Sequence, residues 1–367
     1  MIFTALFYIF VGATAVQVLY YLFFSFFCFQ SKKENNTNVN TPISLIVYTK
    51  NNASILADYC KDLSKQKHLN FEIVIVNNAS TDDTLDILEE LEKEYSNLKI
   101  VDVENTEAFW GNKKYALTLG VKAATNEHLL FTEVSSKALS QNWITEMVRN
   151  FSQEKTIVIG YQKLKRNKKS LSNILIRFHH LLSNIQAFTF VKFESPYKAT
   201  NHNLAYTKSE FFKVNGFINH LNLFIGEAEL FIKDAAKKSN TTYTTNVNGF
   251  VASSEQISFR KWFVQQKKET ILYSLYKRKH RFLLSLFKIT KFLTYSLAIF
   301  ISIINWKIAL PFILGYFLLQ YIVVAKAASK FQEKGLVLLL PFFDICLVLF
   351  QISIFISNQI SEPKHWK

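Results

Sequence analysis

Several short stretches put side chains that can do chemistry at the ends of apolar runs. In "EHLLFTEVSS" (127 to 136) the carboxylate of Glu133 and the hydroxyl of Ser135 follow Leu129, Leu130 and Phe131. In "FEIVIVNNAS" (71 to 80) the amides of Asn77 and Asn78 close a β-branched run, and in "ISLIVYTK" (43 to 50) Thr49 and Lys50 do the same. A further stretch, "IGEAELF", carries Glu227 and Glu229 two residues apart. Carboxylates, amides and hydroxyls gathered in this way suit binding of a polar ligand and proton transfer. Other reactive types point elsewhere. Cys28, Cys60 and Cys346 lack CxxC or CxxH spacing, so they read as structural thiols rather than a zinc site or a disulfide framework. His179 and His180 have no His, Asp or Glu partner four residues on, and they read as residues of a polar helix face.

The elements that must position these groups alternate. "ISLIVYT" has strand length and is followed by "ASILADYCKDLSKQ", in which Ile55, Leu56, Tyr59 and Leu63 have helical spacing. "FEIVIVNN" is a second buried strand, and "TDDTLDILEELEKEY" after it is a helix that Ser80 or Thr81 can cap, with Asp82 and Asp83 favourable against its dipole. "LKIVDVE", a helix through "KKYALTLGVKAA" and the strand "EHLLFTE" complete the series. Strands alternating with helices predict an α/β fold, a parallel sheet covered on both faces. Ligands of such sheets bind beyond the carboxyl ends of the strands, here Thr49-Lys50, Asn77-Asn78 and Glu133-Ser135. No internal repeat is present.

Composition requires more than a soluble core. The chain has 367 residues, is 49% apolar and holds 35 Phe. Four apolar segments reach the ~20 residues that cross a bilayer: 2 to 29, roughly 285 to 304, 308 to 325 and 335 to 357. The first reads as an anchor rather than a signal peptide, because "MIFTALFYIF" has no basic n-region and no small-residue cleavage site follows. The net charge of +15 is concentrated in clusters such as "KLKRNKK" (163 to 169) and "YKRKHR" (276 to 281), beside apolar segments, which points to anionic lipid rather than nucleic acid. With Lys32, Lys33, Lys326, Lys330 and Lys334 they mark the cytoplasmic ends of the spans, leaving both termini external and residues 31 to 281 inside. A helix over 170 to 193 carries Leu171, Ile174, Leu175, Phe178, Leu181, Leu182, Ile185 and Phe188 on one face. That face suits either the membrane interface or a protein core.

In this order the elements resemble family-2 glycosyltransferases with a GT-A fold, particularly the membrane-anchored bacterial type, over essentially the whole chain. The stretches that carry the resemblance are "ISLIVYTKNNASILADYC", "FEIVIVNNASTDDT", "FWGNKKYALTLGVKAA", "LLFTEVSSKALSQNW", "NHNLAYTKSEFFKVNGF", "IGEAELFIKDAA" and "SFRKWFVQQKK". The resemblance implies a nucleotide-diphospho-sugar transferase, acting with inversion on a lipid-linked or envelope glycan acceptor at the inner membrane of a bacterium. It implies the segments 1–30 as anchor, 31–41 as linker, 42–281 as the cytoplasmic GT-A-like domain and 282–367 as a membrane region of about three helices.

By the same resemblance Thr49, Asn77, Asn78, Lys113, Arg260 and Trp262 would bind the donor, Glu133 and Ser135 would hold a divalent metal (Mg or Mn), and Glu227, with Glu229 as substitute, would be the base. The sequence departs from the family pattern at these places. Asn77-Asn78 replaces aspartate, Glu133-Val134-Ser135 replaces D-x-D, "NHNLAY" puts His202 where a fixed cation is usual, and "GEAELF" replaces G-D-D-D-L-F. One carboxylate is a weakened metal site. Arg260, Lys261, Lys267 and Lys268 can neutralise a diphosphate or face anionic lipid, and Trp262 can be a donor lid or membrane-interface packing. The leading expectation is an enzyme; the alternative is an inactive pseudo-glycosyltransferase that serves an active partner glycosyltransferase as a scaffold.

Overall fold

The computed structural model describes residues 1–30, 40–104 and 112–360. Positions 31–39 of the expected linker and Phe109–Gly111 of the "FWGNKK" stretch lie outside the described residues. The chain forms two compact units. One comprises Met1–Ser31, Asn167–Thr189 and Ser258–Lys364; the other is built from Lys32–Arg166 and Phe190–Ile257.

Along the chain, α1 (Ile2–Phe29) is followed by β1 (Ile43–Thr49), α2 (Ala53–Leu63), β2 (Phe71–Asn78), α3 (Thr84–Glu94), β3 (Leu98–Val103), α4 (Lys113–Ala123) and β4 (His128–Glu133). Next come β5 (Ser136–Ala138), α5 (Trp143–Val148), β6 (Ile157–Ile159), β7 (Gln162–Lys163), α6 (Leu171–Lys192), β8 (Leu204–Thr207) and α7 (Lys208–Lys213). The remainder is α8 (Glu227–Ala235), β9 (Thr241–Tyr243), β10 (Val251–Ser253), α9 (Phe259–Leu275), α10 (Arg278–Lys330) and α11 (Leu340–Ile360).

Among the described residues the sheet unit holds a seven-stranded sheet in the order β3-β2-β1-β4-β8-β6-β9 and a small sheet, β5-β10-β7. β1 to β4 are mutually parallel, as the alternation predicts, and β8 runs antiparallel to β4 and β6. The apolar runs of β1 and β2 are buried on both faces, which is why they do not alternate with polar residues. Helix α4 lies against them closely. A Cβ on Gly120 would stand 2.6 Å from Val76 Cγ2 and 3.2 Å from Ile46 Cγ2, so only glycine permits this approach.

The expected cap of α3 by Ser80 or Thr81 is not formed. Ser80 Oγ donates to Asn77 Oδ1 at 2.5 Å, and Thr81 N donates to Asn51 Oδ1 at 2.8 Å. Asp82 accepts from Thr84 N at 3.2 Å and from Ala53 N at 3.2 Å. The loops after β1 and β2 emerge side by side from parallel strands, so their polar side chains satisfy each other before they can serve the helix.

In the other unit, α1, α10 and α11 are each long and apolar enough to cross a membrane. The two segments expected at 285–304 and 308–325 belong to α10, which is interrupted at Asn305 (φ −152°, ψ 86°). Its two arms fold back on each other there, with Tyr295 6.2 Å from Tyr316 and 6.0 Å from Phe317, ring centre to ring centre. Asp344 of α11 is fully buried and accepts from Lys291 of the first arm, from Tyr295 Oη at 2.6 Å, and from Gln320 Nε2 of the second arm at 2.8 Å. Helix α1 joins through Gln17, which donates to Thr290 Oγ1 at 2.8 Å, and through Tyr21 Oη, which accepts from Gln320 Nε2 at 2.8 Å.

Segments 167–189 and 258–281, expected in the soluble domain from sequence, pack in this unit instead. Phe178 of α6 meets Phe343 at 5.9 Å, Phe188 meets Phe331 at 5.5 Å, and Arg177 pairs with Glu333. The apolar face of α6 is thus turned inward at Phe178, Leu181, Ile185 and Phe188, while Leu171 at its start is exposed.

The Lys291–Asp344 pair generates a prediction. Removing one member of a buried pair strands the other charge and costs about 3–5 kcal/mol, whereas replacing both with apolar groups is close to neutral. Asp344→Leu should therefore lower the thermal midpoint of the detergent-solubilised protein sharply, and adding Lys291→Met should restore most of it. A double variant no more stable than the single one would show that the pair is not what Asp344 contributes.

Candidate active site

The register of the parallel strands assembles the site. Tyr48 stands opposite Glu133 across β1 and β4, and Asn77 stands between Thr49 and Asp102 across β1, β2 and β3. Neighbouring residues of a strand face opposite ways, so Asn77 and Asn78 serve different partners. Asn77 Nδ2 donates to Asp102 Oδ1 at 2.7 Å, and Asn78 Nδ2 donates to Tyr48 Oη at 2.9 Å. Thr49 is buried, and its Oγ1 accepts from Asn52 Nδ2 at 3.2 Å.

Helix α4 brings its first residue to the end of β4. Asn112 caps the helix, accepting from Lys114 N at 3.0 Å and Tyr115 N at 3.3 Å. Lys113 Nζ then donates to Glu133 Oε1 at 2.5 Å and lies 4.8 Å from the centre of the Tyr48 ring. On the other side His202 Nδ1 is 3.8 Å from Glu133 Oε2 and 3.0 Å from Ser136 Oγ, which also accepts from Gln162 Nε2 at 3.0 Å. The Glu133 side chain is only 17% exposed.

These contacts set the charges. Burial alone would raise the Glu133 carboxyl, but Lys113 and then His202 outweigh it and hold the group down at about 2. Burial would lower Lys113, yet Glu133 and then Glu227 keep its ammonium above the usual lysine range. For His202 burial prevails over Glu133, so the imidazole titrates below its ordinary value and is neutral at pH 7. It does not replace a fixed cation.

Glu227 is the first residue of α8, preceded by Gly226 in the left-handed region (φ 78°), and it acts electrostatically on Lys113, Lys114 and His202. Lys114 has no exposed surface. Its Nζ donates to the carbonyl oxygens of Leu223 and, at 2.7 Å, of Ile225, while Asn112 Nδ2 donates to Leu221 O at 2.6 Å. The first turn of α4 thereby holds the segment that leads into Glu227. Burial pushes Lys114 down to about 8, with Glu227 and Glu229 pulling the other way.

Of the residues singled out in the sequence, Lys113, Glu133, His202 and Glu227 form one electrostatic cluster, while Asn77, Asn78 and Thr49 line the adjacent strand ends. Glu229 acts on the cluster through its field on Lys114. Ser135 ties the turn after β4 to the end of β10, its carbonyl accepting from Ser254 N at 2.8 Å. Arg260 and Trp262 belong to the other unit. There Arg260 is exposed, and Trp262 is buried on Phe350, rings 3.9 Å apart and 4° from parallel. Tyr48, Asp102, Asn112 and Lys114 join the site without having stood out in the sequence. Asp102 carries a signal, its place at the end of "LKIVD"; Lys114 has none, since a "KK" pair reads as a solvated helix start.

A divalent cation does not fit the strand-end residues as they stand. The turn after β4 supplies a single carboxylate already paired to an ammonium, and among the described residues no group of three or more His, Cys, Asp or Glu is arranged to hold a metal.

Residues 44–219 match the profile of glycosyl transferase family 2. A beta-monoglucosyldiacylglycerol synthase of Nostoc sp. (strain PCC 7120) is 28% identical over 129 residues, a stretch that spans 35% of this chain and 27% of that protein. The mannosyltransferase PcManGT of Pyrobaculum calidifontis, solved with GDP-Man and Mn2+, is 13% identical with a TM-score of 0.57, covering 89% of this chain and 99% of that one. At such identity the likeness is one of fold. A family profile that begins on β1 and continues past β8 makes residues 44–219 similar to glycosyl transferase family 2, and the architecture that carries them is the GT-A fold shared with that mannosyltransferase.

Proposed function

We propose that the chain is a membrane-bound, inverting glycosyltransferase that moves a sugar from a nucleotide-diphosphate donor to a lipid-linked or envelope glycan acceptor. The observation that carries this reading is the meeting of Lys113, Glu133, His202 and Glu227 at the carboxyl ends of β1 and β4. Thr49, Asn77 and Asn78 offer hydrogen bonds to the nucleoside, and Lys113 offers its ammonium to the diphosphate. The acceptor oxygen attacks the anomeric carbon from the side opposite the leaving group, while the bond from that carbon to the diphosphate oxygen breaks. The hydroxyl proton passes to Glu227, with Glu229 as substitute, and the electron pair leaves with the nucleoside diphosphate, whose charge Lys113 stabilises.

A lipid-borne acceptor is supported by the three apolar helices and by the lipid product in the name of the Nostoc relative. The basic residues flanking those helices support four crossings, counting the two arms of α10 separately, with the sheet unit on the cytoplasmic side of a bacterial inner membrane.

The reading is tested on the whole protein in nanodiscs containing host lipid extract, following release of nucleoside diphosphate from a panel of UDP- and GDP-sugars. A base contributes typically about 10² to 10⁴-fold. Glu227→Gln should lower release by that order with an unchanged thermal midpoint, and undiminished release would remove Glu227 from the chemistry. Topology is checked with reporter tags: one at residue 1 should be external and one inserted at Asn36, outside the described residues, cytoplasmic. An external signal at Asn36 would separate the domain from cytoplasmic donors. Since His202 is neutral at pH 7, it should impose no inflection on nucleotide affinity between about pH 6.5 and pH 8. An inflection there that vanishes in His202→Asn would mean that the imidazole is charged in that range.

A further inference from the structure

We infer that the ammonium of Lys113 serves as the resident cation of the diphosphate site, so that a nucleoside diphosphate binds there without a metal ion. The inference rests on the donor reading above and concerns what neutralises the diphosphate.

A divalent cation at such a site needs one or two carboxylates in addition to the substrate phosphates. The turn after β4 has Glu133 alone, with the Ser135 hydroxyl two residues on. Oε1 of Glu133 already accepts from Lys113 Nζ at 2.5 Å, while Oε2 lies 3.8 Å from His202 Nδ1, beyond hydrogen-bond distance. A metal would have to displace the lysine from Glu133, the one carboxylate that the turn after β4 offers, and neither the His202 imidazole nor the Ser135 hydroxyl adds negative charge there.

Lys113 meets the same need differently. It is the first residue of an eleven-residue helix, so the positive end of the helix dipole lies at its backbone. Glu133 and the Tyr48 ring hold the ammonium at the strand ends, and the side chain remains 23% exposed. An ammonium has three donors, and Glu133 takes one. The others are available to phosphate oxygens, which accept charge-assisted hydrogen bonds. Glu133 then has a positioning role: it fixes where the cation sits and keeps the lysine charged.

The test uses the full-length protein in detergent, with UDP and GDP as probes, and reads affinity by calorimetry in EDTA and in MnCl2. Wild-type affinity should agree within about twofold between the two conditions. A charge-assisted bond is worth about 1.5–3 kcal/mol, or roughly 10- to 100-fold in affinity. Lys113→Ala should therefore weaken binding in EDTA by that order, and Mn2+ should recover part of the loss, because Glu133 is released to hold it. Lys113→Ala/Glu133→Gln should show no recovery. Lys113→Arg, with the same charge, should keep metal-free binding, and thermal midpoints establish that each variant is folded. Wild-type binding that appears only with Mn2+ overturns this inference and leaves the donor reading intact, as does a Lys113→Ala protein that binds like wild type in EDTA. Absence of nucleotide binding in both conditions overturns the two together.

Discussion

A carboxylate shielded from water must have a cation beside it, since an unpaired buried charge costs several kcal/mol. The upper edge of the sheet is arranged around that requirement at Glu133. Strand β4 delivers the carboxylate next to Tyr48 of β1, and the cation has to come from an element that crosses above both. Helix α4 does so because Gly120 lets its far end settle onto Val76 and Ile46 while Asn112 closes its near end. Lys113 then reaches Glu133 from the first helical position, and the Tyr48 ring supports it from below. Asn78 fixes the tyrosine in turn. One electrostatic demand thus accounts for strand register, helix approach and cap together.

The membrane-type unit meets a related demand with different means. Its charged pair sits where neither member can reach water, so Asp344 draws on Tyr295 and Gln320 as well as Lys291. Those partners come from both arms of α10, and Gln320 extends the network to Tyr21 of α1. Polar side chains in apolar surroundings have few alternative partners, which makes them selective joints between helices. The arrangement identifies which helices neighbour which, a task that interchangeable Phe and Leu surfaces perform poorly.

Local pattern in the sequence is enough to make much of this legible. The alternation of apolar runs with helical spacing leads to β1 through β4 and the helices between them, and the strand-end rule leads to Thr49, Asn77, Asn78 and Glu133. The long apolar segments stand out by length and composition. Other features depend on partners distant in sequence. Ser80 and Asp82 look like helix-capping residues until the loop after β1 is seen beside them. The reversal at Asn305 leaves no glycine or turn cluster in the sequence, only an asparagine six residues before Pro311. Trp262 reads equally well as a lid or as packing, and Phe350, nearly ninety residues away, decides how it is buried. Lys114 resembles a solvent-facing lysine in every local respect, and its burial becomes evident only once the segment 221–226 is laid over it.

That burial links two parts of the site that sequence keeps more than a hundred residues apart. Lys113 and Lys114 are neighbours on one helical turn; the first meets Glu133, and the second grips the strap of chain that introduces Glu227. A displacement of this turn therefore acts as a lever with two arms, shifting the cationic group and the acidic helix start in concert.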